Sequence, residues 1–441
     1  MKRLLSLLLC AVLALFCATT AQAAGVSITL TASEYALHYA FDAGAQDPFV
    51  ILEYATPAEK GWMMLYSADG HFEGDVSLAY SGAGGKTSVA LTSARTTGSI
   101  GKASTTLPKA ADYQKPTGKS NVKVTDFVLT ETPEGFHYAF NAIGTDYMLL
   151  YWRSKEQTVT QPVYPDENGH YEGDVVSELT FARTQFTVQV KSGAGSMKKE
   201  ATVRKGYQAP EAPQRQEGRL SGVTVCIDAG HQENGRFVNE PIGPGLTGST
   251  SGKGGMAQGT KTNRRESIVC LEIGMLLRDE LLRQGANVVM TREDQTTFHT
   301  NIERCEIAEA GGAQIMLRLH CNNSSNRSKR GIQVYGPLNS DYAKAVADAD
   351  TYREMGQKLL DAMKTRVGMT LANSTGMVRL NDNYVGNNWA KMMCFLVEMG
   401  YLSNPAEEYL LVTPVYQQWL AEGMADGVYE IAVARGWVQA Q

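Results

Sequence analysis

An internal repeat in the N-terminal half constrains the fold of this chain more strongly than any other feature of its sequence. Two motifs recur at one offset of 99 positions: LHYAFDA (37–43) returns as FHYAFNA (136–142), and DGHFEGDV (69–76) returns as NGHYEGDV (168–175). Two matches at the same offset indicate a duplicated unit. Short alternating runs rich in Val, Thr, Tyr and Phe surround them, separated by Asp-Gly and Asn-Gly turns. This pattern predicts two small β-sandwiches of immunoglobulin-like type, over residues 25–107 and 120–205.

The N-terminus has the layout of a secretory signal peptide. Two basic residues at positions 2 and 3 precede an apolar run, 4–16, and a small-x-small triplet, AQA, follows at 21–23. This layout predicts a signal peptide over residues 1–23. An apolar run of about 13 residues is shorter than the roughly 20 that a bilayer span requires, so we expect no stable membrane span after cleavage. The mature protein is therefore expected to be secreted and extracellular.

Charge and cysteine content exclude two further classes of protein. The formal net charge is -5 and the sequence pI is about 5.9, so the chain has no basic field and nucleic acid is not an expected partner. Beyond the signal peptide five cysteines remain, an odd number without a C-x-x-C pair. A secreted scaffold built on disulfides is therefore not expected.

A different pattern begins after a Pro- and Gln-rich linker at 206–220. Short apolar runs predict buried strands at 223–227, 286–291, 315–319, 332–335 and 394–397. Amphipathic stretches between them predict helices at 267–283, 302–310, 342–366 and 416–434. This alternation predicts an α/β domain over residues 221–438, with a mostly parallel or mixed central sheet.

Three of the seven histidines lie in the predicted α/β domain. The other four, His38, His71, His137 and His170, occupy equivalent positions of the two repeats and are interpreted as packing or turn residues. His231 and His320 each follow a predicted strand, at the carboxyl end where α/β sheets build their sites. His299 lies in a polar loop and is interpreted as a surface or substrate-edge residue.

A set of ordered motifs in the same domain gives a family resemblance. In chain order they are IDAGH (227–231), Glu266 at the start of a helix, TR (291–292), ER (303–304), LHCN (319–322) and VEMGYLSN (397–404). Together they resemble the zinc-dependent N-acetylmuramoyl-L-alanine amidases over about residues 223–437, and an ordered set of this length is highly specific.

The resemblance implies a role for each matching residue. His231, Glu266 and His320 correspond to the ligands of Zn²⁺, and Glu398 corresponds to the catalytic glutamate. Glu266 follows Thr262-Asn263, which we interpret as a helix cap. Glu398 ends an apolar strand, where partial burial would raise its pKa toward useful base strength.

Alternatives remain for several of these roles. Glu240, in the loop after His231, is a rival to Glu266 as a metal ligand. In that alternative Glu266 would be an ordinary acid in the first turn of a helix, where the helix dipole favours it. Glu398 is alternatively a third carboxylate ligand or a structural partner of an arginine. Supporting or substrate-contacting roles are predicted for Arg292, Arg304 and Asn322.

The implied reaction is hydrolysis of the amide between N-acetylmuramic acid and L-alanine of peptidoglycan, by zinc-activated water. Two alternatives are a zinc peptidase that acts within the stem peptide and an inactive protein that binds the cell wall. The repeats suggest no chemistry of their own, and binding to the wall or to a protein partner are both open. Their aromatic residues are interpreted either as a glycan-stacking surface or as core: Tyr39, Tyr138, Tyr151 and Trp152.

Three features depart from the family pattern. A Gly-, Thr- and Ser-rich loop of about thirty residues, 232–262, is interpreted as a flap beside the substrate groove or as a disordered insertion. Arg318 replaces a small polar residue, and Met392-Met393 occupies a place where proline is common. These substitutions are expected to alter the shape of the groove without removing a metal ligand.

Overall fold

The computed structural model describes most of the chain in two compact units, residues 1–117 and 118–441. The described residues are 18–22, 25–34, 36–57, 60–78, 81–96, 98–111, 123–132, 135–142, 148–153, 158–163, 165–176, 184–192, 199–205, 210–232, 238–250, 255–262, 264–368 and 378–440. Residues 1–17 and 23 of the predicted signal peptide therefore lie outside the described residues, as does Asn263 of the predicted helix cap, whereas residues 18–22 of that predicted peptide form a strand.

The first unit consists of two antiparallel sheets. Its strands are β1 (Ala18–Gln22), β2 (Ser27–Ala32), β3 (Ala36–Asp42), β4 (Phe49–Ala55), β5 (Lys60–Tyr66), β6 (His71–Ser77), β7 (Gly85–Ser93) and β8 (Ser99–Leu107). The sheet orders are β1-β2-β3-β6 and β5-β4-β7-β8. Alternate residues of β3 (Leu37, Tyr39 and Phe41) enter the core between them, as the period of a strand requires.

The second repeat has the same strand order, and its described residues include no counterpart of β1. Its strands are β9 (Val124–Thr132), β10 (Gly135–Ala142), β11 (Met148–Arg153), β12 (Thr158–Val163), β13 (His170–Val176), β14 (Thr184–Ser192) and β15 (Lys199–Lys205). The sheets run β13-β10-β9 and β12-β11-β14-β15. The prediction that the N-terminal half is built from small β-sheets is confirmed.

The aromatic residues of the repeats are mostly core residues. Tyr39, Tyr138 and Trp152 are buried in the hydrophobic clusters of their units. Gly74 lies against the ring of Tyr39, where an added Cβ would come within 2.8 Å of the phenol oxygen. The interpretation of these three residues as core is therefore the better one; Tyr151 is partly exposed.

The C-terminal domain is built on a six-stranded mixed sheet of order β19-β16-β20-β23-β21-β22. Its strands are β16 (Thr224–Ala229), β19 (Asn287–Met290), β20 (Ile315–Asn322), β21 (Gln333–Gly336), β22 (Val378–Leu380) and β23 (Met393–Tyr401), and β17 (Glu240–Pro241) and β18 (Ser249–Thr250) form a separate short hairpin. β19, β16, β20 and β23 are parallel, and β21 is antiparallel to β23. The mixed α/β sheet is as predicted.

Seven helices accompany this sheet in the described part of the domain. They are α1 (Glu266–Arg283), α2 (Asn301–Ala310), α3 (Asp341–Val346), α4 (Ala349–Val367), α5 (Val385–Trp389), α6 (Glu407–Leu410) and α7 (Pro414–Ala434). On β16, Cys226 packs toward Cys305 of α2, and Ile227 faces Gly274 of α1. The central strands are covered on both faces, which explains their continuous apolar runs.

Two helix predictions need correction. The predicted helix 342–366 is two helices, because Ala347 is extended (φ -166°, ψ 160°) and Asp348 caps α4 by accepting from Thr351 N at 2.7 Å. The N-cap of α1 is Arg265, which makes no side-chain cap, so the predicted cap at Thr262-Asn263 is wrong. The short elements β22, α5 and α6 were not predicted, since each is too short to carry a periodic pattern.

The cysteine prediction agrees with the structure, since Cys226, Cys270, Cys305, Cys321 and Cys394 are free and buried. Across the described ranges, no helix is both long and apolar enough to cross a bilayer.

Candidate metal centre and active-site cavity

Three parallel strands bring candidate residues to one edge of the sheet. His231 follows the end of β16, His320 lies near the end of β20, and Glu398 lies on β23, where it pairs in register with His320. His231 has φ +58°, an uncommon value for a residue with a side chain, and Arg304 Nη2 donates to its carbonyl at 3.2 Å. The fourth candidate, Glu266, is the first residue of α1.

His231, Glu266 and His320 converge on one point. The Glu266 Oε1 atom lies 2.9 Å from His320 Nδ1, and Oε2 lies 3.1 Å from His231 Nε2. One donor atom from each of the three residues lies within 4.8 Å of the others. Gly230 permits this approach, because a Cβ there would come within 2.6 Å of His320 Cε1. Two imidazoles and a carboxylate are a donor set that zinc binds, so the residues fit such an ion.

The electrostatics of the group favour metal-binding protonation states. Burial raises the pKa of Glu266, but His231 and His320 outweigh it and hold that pKa well below its usual range. Ala257 N donates to Oε2 at 2.8 Å and Cys321 N to Oε1 at 3.0 Å. Burial lowers the pKa of His320 and so favours the neutral imidazole. A carboxylate and a neutral imidazole are the forms that coordinate a metal.

Glu398 lies beside this group but is not a member of it. Its Oε2 atom is buried, and among the described residues that atom has no hydrogen-bond partner. Burial, and then the negative charge of Glu266, raise the pKa of Glu398 well above its ordinary value. A buried carboxyl group with an unused oxygen and a raised pKa is suited to accept and return a proton.

The rival ligand Glu240 has a different structural partner. Its carboxylate accepts from Asn301 Nδ2 at 2.7 Å and from Ile302 N at 2.8 Å, so it caps the N-terminus of α2. It lines the same cavity without joining the metal-binding group. The dipole at that helix end stabilises the negative charge.

The arginines named from the sequence serve two purposes. Arg292 donates to the carbonyls of Ala229, Gly230 and Ser267 at 2.6, 2.9 and 2.7 Å, so it joins the turn before His231 to the start of α1. Arg304 also donates to a carbonyl of this turn, Ala229 O at 2.9 Å, and in addition it lines the cavity.

Sequence reasoning missed Asp228, a fully buried carboxylate at the centre of this framework. It pairs with Arg304, accepts from Arg318 Nε at 2.9 Å and accepts from Thr291 Oγ1 at 2.8 Å. Burial opposes its charge, but the two guanidinium groups hold its pKa far below the usual range. An acid inside an apolar strand was the available signal, because such a charge needs a paired partner. Arg318, noted as a departure from the family pattern, is one of its two cationic partners.

A cavity of about 620 Å³ contains the whole constellation. The candidate residues His231, Glu266, His320, Glu398, Arg304 and Asn322 line it, together with His299 and Phe298. Asn322 also donates from Nδ2 to Gln333 Oε1 at 3.2 Å. His299, interpreted from the sequence as a surface or substrate-edge residue, is thus one of the residues that line the cavity.

Hydrogen bonds hold the described parts of the loop 232–262 against the rest of the domain. Val238, Glu240, Thr250, Gly255 and Ala257 line the cavity. Trp389 Nε1 donates to Pro241 O at 2.8 Å, and the buried Glu408 accepts from Lys261 N at 2.9 Å. These segments form a wall of the cavity; residues 233–237 and 251–254 lie outside the described residues.

The four histidines of the repeats, interpreted from the sequence as packing or turn residues, are not among the described residues that line this cavity. Each is partly exposed and its Nδ1 meets an oxygen on the neighbouring strand: the pairs are His38–Asp75 at 3.1 Å, His71–Asp42 at 2.7 Å, His137–Asp174 at 2.9 Å and His170–Asn141 at 2.7 Å.

Comparison with known proteins gives a family match for the C-terminal domain. Residues 225–430 match the sequence profile described as N-acetylmuramoyl-L-alanine amidase. The chain is 26% identical over 231 residues to a germination-specific N-acetylmuramoyl-L-alanine amidase of Bacillus subtilis, covering 49% of this chain and 83% of that protein. It is 27% identical over 218 residues to the probable cell wall amidase LytH of Staphylococcus aureus, covering 48% of this chain and 60% of LytH.

Solved structures give similar matches. An N-acetylmuramoyl-L-alanine amidase from Clostridium difficile 630 is 23% identical with a TM-score of 0.38, over 48% of this chain and 96% of that one. The apo form of the amidase Ami1 from Mycobacterium abscessus is 21% identical with a TM-score of 0.44, over 48% and 99%.

Proposed function

We propose that residues 225–430, which match the N-acetylmuramoyl-L-alanine amidase profile, form a zinc-dependent hydrolase of peptidoglycan. The bond cleaved is the amide between N-acetylmuramic acid and the L-alanine of the stem peptide. The observation that carries the proposal is the group formed by His231, Glu266 and His320, in one cavity with Glu398 and its unused carboxyl oxygen.

The residues of the chain would divide the work as follows. His231, Glu266 and His320 would hold Zn²⁺, which when bound polarises a carbonyl and lowers the pKa of a water molecule. Glu398 would take a proton at its free oxygen and return it to the departing amine, which leaves poorly unless it is protonated. The main-chain donors Ala257 and Cys321 keep the Glu266 carboxylate oriented.

The paired charges at and beside the cavity wall would position these groups. Arg292 and Arg304 hold the carbonyls of the turn that ends in His231. Asp228 pairs with both Arg304 and Arg318 and would orient them. We propose positioning roles for these arginines and for Asn322.

The substitution Glu398→Gln tests the proposal. We expect release of stem peptides from purified peptidoglycan to fall by roughly 10²–10⁴-fold, because the variant can no longer accept the proton. Bound zinc, measured by elemental analysis, is expected to stay at the wild-type level. Glu354→Gln, at an exposed position of α4, is the matched control and should leave both quantities unchanged.

Mass spectrometry of the products separates this function from its alternatives. Peptides that begin with L-alanine, together with lactyl sugars, support the amidase. Peptides cleaved internally would show a peptidase, and no release by the wild-type protein with zinc bound would show an inactive wall-binding protein.

For the rest of the chain we propose export and a role at the wall. Residues 1–23 would be the signal peptide, 25–107 and 120–205 duplicated immunoglobulin-like modules, and 206–220 the linker to a catalytic domain at 221–438. The matching strand orders of the two repeats support the module assignment. The modules would bind the cell wall or a protein partner.

A further inference from the structure

A second cavity, of about 520 Å³, adjoins the one that contains the metal-binding group. The two cavities share Asn322 and Asn323, which follow His320 at the end of β20. The remaining lining residues come from the segment 326–330 and from β21, β22 and β23: Asn326, Ser328, Lys329, Arg330, Gln333, Tyr335, Arg379 and Tyr401.

The second cavity is positively charged although the whole chain carries a net charge of -5. Of its described lining residues, Lys329, Arg330 and Arg379 are cationic and none is acidic. Arg330 is close enough to the buried Glu407 to lower its pKa. Among the described residues, no carboxylate forms an ion pair with Lys329 or Arg379. Both side chains are exposed and line the cavity. Such a wall attracts anionic groups.

The chemistry of the substrate separates its two sides by charge. Once the lactyl carboxyl group is part of the scissile amide, the glycan side is neutral. The stem peptide, on the other side of that amide, carries free carboxylates and a chain of peptide groups. Arginine and lysine bind carboxylates, and the amides of Asn322, Asn323 and Asn326 supply donors and acceptors for a peptide backbone.

We infer that the second cavity binds the stem peptide beyond L-alanine, with Arg379 and Lys329 pairing with its free carboxylates. This inference rests on the proposed amidase function. The volume lies in the range of specific ligand sites, and the shared wall at Asn322 and Asn323 places the cavity next to the one that contains the metal-binding group.

Steady-state kinetics with two soluble substrates test the inference on the full mature chain. One substrate is a muramoyl tripeptide with free carboxylates, and the other is the same molecule with those carboxylates amidated. For Arg379→Gln and Lys329→Gln we expect KM for the free acid to rise about threefold to tenfold, with kcat unchanged, because partly exposed charge pairs contribute modestly. KM for the amidated substrate should change less than about twofold, because that substrate has no carboxylate to pair with either side chain.

The control is Arg353→Gln, which removes an exposed cation of α4 that pairs with Asp350. It should leave both KM values at the wild-type level. Equal changes for the two substrates, or no difference between Arg379→Gln and the control, would overturn the inference.

Binding of the free tripeptide to the wild-type chain, measured by calorimetry, needs no turnover. If the wild-type protein releases no peptide from peptidoglycan, the proposed function fails, and the calorimetric comparison still decides whether Arg379 binds the tripeptide. If release is normal but tripeptide binding is the same in the wild type and Arg379→Gln, only the second cavity is assigned wrongly.

Discussion

At the residue scale, Glu407 is a buried acid that no motif indicated. Its carboxylate accepts from Gly331 N and from Tyr401 N, each at 2.8 Å, and so joins the segment after β20 to the end of β23. Burial raises the pKa of Glu407 to about 7, although both main-chain donors and Arg330 act in the opposite direction. Between about pH 4.5 and pH 7, Glu407 is therefore mostly protonated in the folded protein and mostly ionised in the unfolded chain.

This pKa predicts how stability depends on pH. Because the folded-state pKa is raised above the ordinary value of 4.5, the contribution of Glu407 is fully present below about pH 4.5 and is lost as pH rises through about 7. The shift corresponds to about 3 kcal/mol at most. Urea denaturation of the metal-free proteins measures this effect. The free energy of unfolding of Glu407→Gln, minus that of the wild type, should increase by up to this amount between pH 4 and pH 8.

The exposed substitution Glu354→Gln serves as the control and should show no such change with pH. A constant difference between Glu407→Gln and the wild type across this range would contradict the raised pKa.

At the scale of elements, the wall segment 255–262 connects the metal-binding group to α6. Glu408 of α6 is fully buried and accepts from Lys261 N at 2.9 Å, Thr260 Oγ1 at 3.0 Å and Thr262 N at 3.2 Å. At the other end of the segment, Ala257 N donates to Glu266 Oε2. Glu408 therefore holds the backbone segment 255–262, which in turn orients Glu266, a proposed metal ligand.

Removing this anchor should weaken metal binding without touching a ligand. For Glu408→Ala we expect zinc affinity to fall about 10- to 100-fold, the usual effect of losing an outer hydrogen-bond partner. Competition with a chelating dye measures the affinity, and hydrogen exchange should show faster exchange in residues 255–262. Glu430→Ala, at an exposed position of α7, is the control. Faster exchange with unchanged zinc affinity would show that the segment does not orient Glu266.

At the scale of the whole molecule, the two repeats present the same groups to solvent. In each, a histidine of one strand bridges a glutamate and an aspartate of the next: His38 lies 3.3 Å from Glu73 and 3.1 Å from Asp75, and His137 lies 3.2 Å from Glu172 and 2.9 Å from Asp174. These exposed pairs contribute little to stability.

A wall-binding role predicts that the repeats affect insoluble substrate only. Deletion of residues 25–205 should reduce binding to purified sacculi and the rate of their digestion, while kcat/KM for a soluble muramoyl peptide stays unchanged. Pull-down with sacculi and a soluble-substrate assay measure the two quantities. A chain that lacks only residues 25–107 is the comparison and should retain part of the binding. Equal binding by all three proteins would assign the repeats another function.

Several properties of this protein could be predicted from the sequence alone, because they depend on local patterns. Periodicity of apolar residues predicted the β-rich half and the core strands and main helices of the α/β domain. The ordered motifs pointed to His231, Glu266, His320 and Glu398 as the chemical residues, and the structure brings them into one cavity. Strand ends are recognisable in sequence, and parallel strands place their carboxyl ends at one edge.

Only the tertiary structure decided which partners these residues meet. Glu240 and Glu266 were both acids near His231, and contacts with Asn301 and Ile302 place Glu240 at a helix end. The break at Ala347, the anchor at Glu408 and the cationic second cavity depend likewise on packing. The physical reason is that a side chain's environment is set by neighbours distant in sequence, as with Glu408 and Lys261, 147 positions apart, and periodicity records which face is buried without recording what covers it.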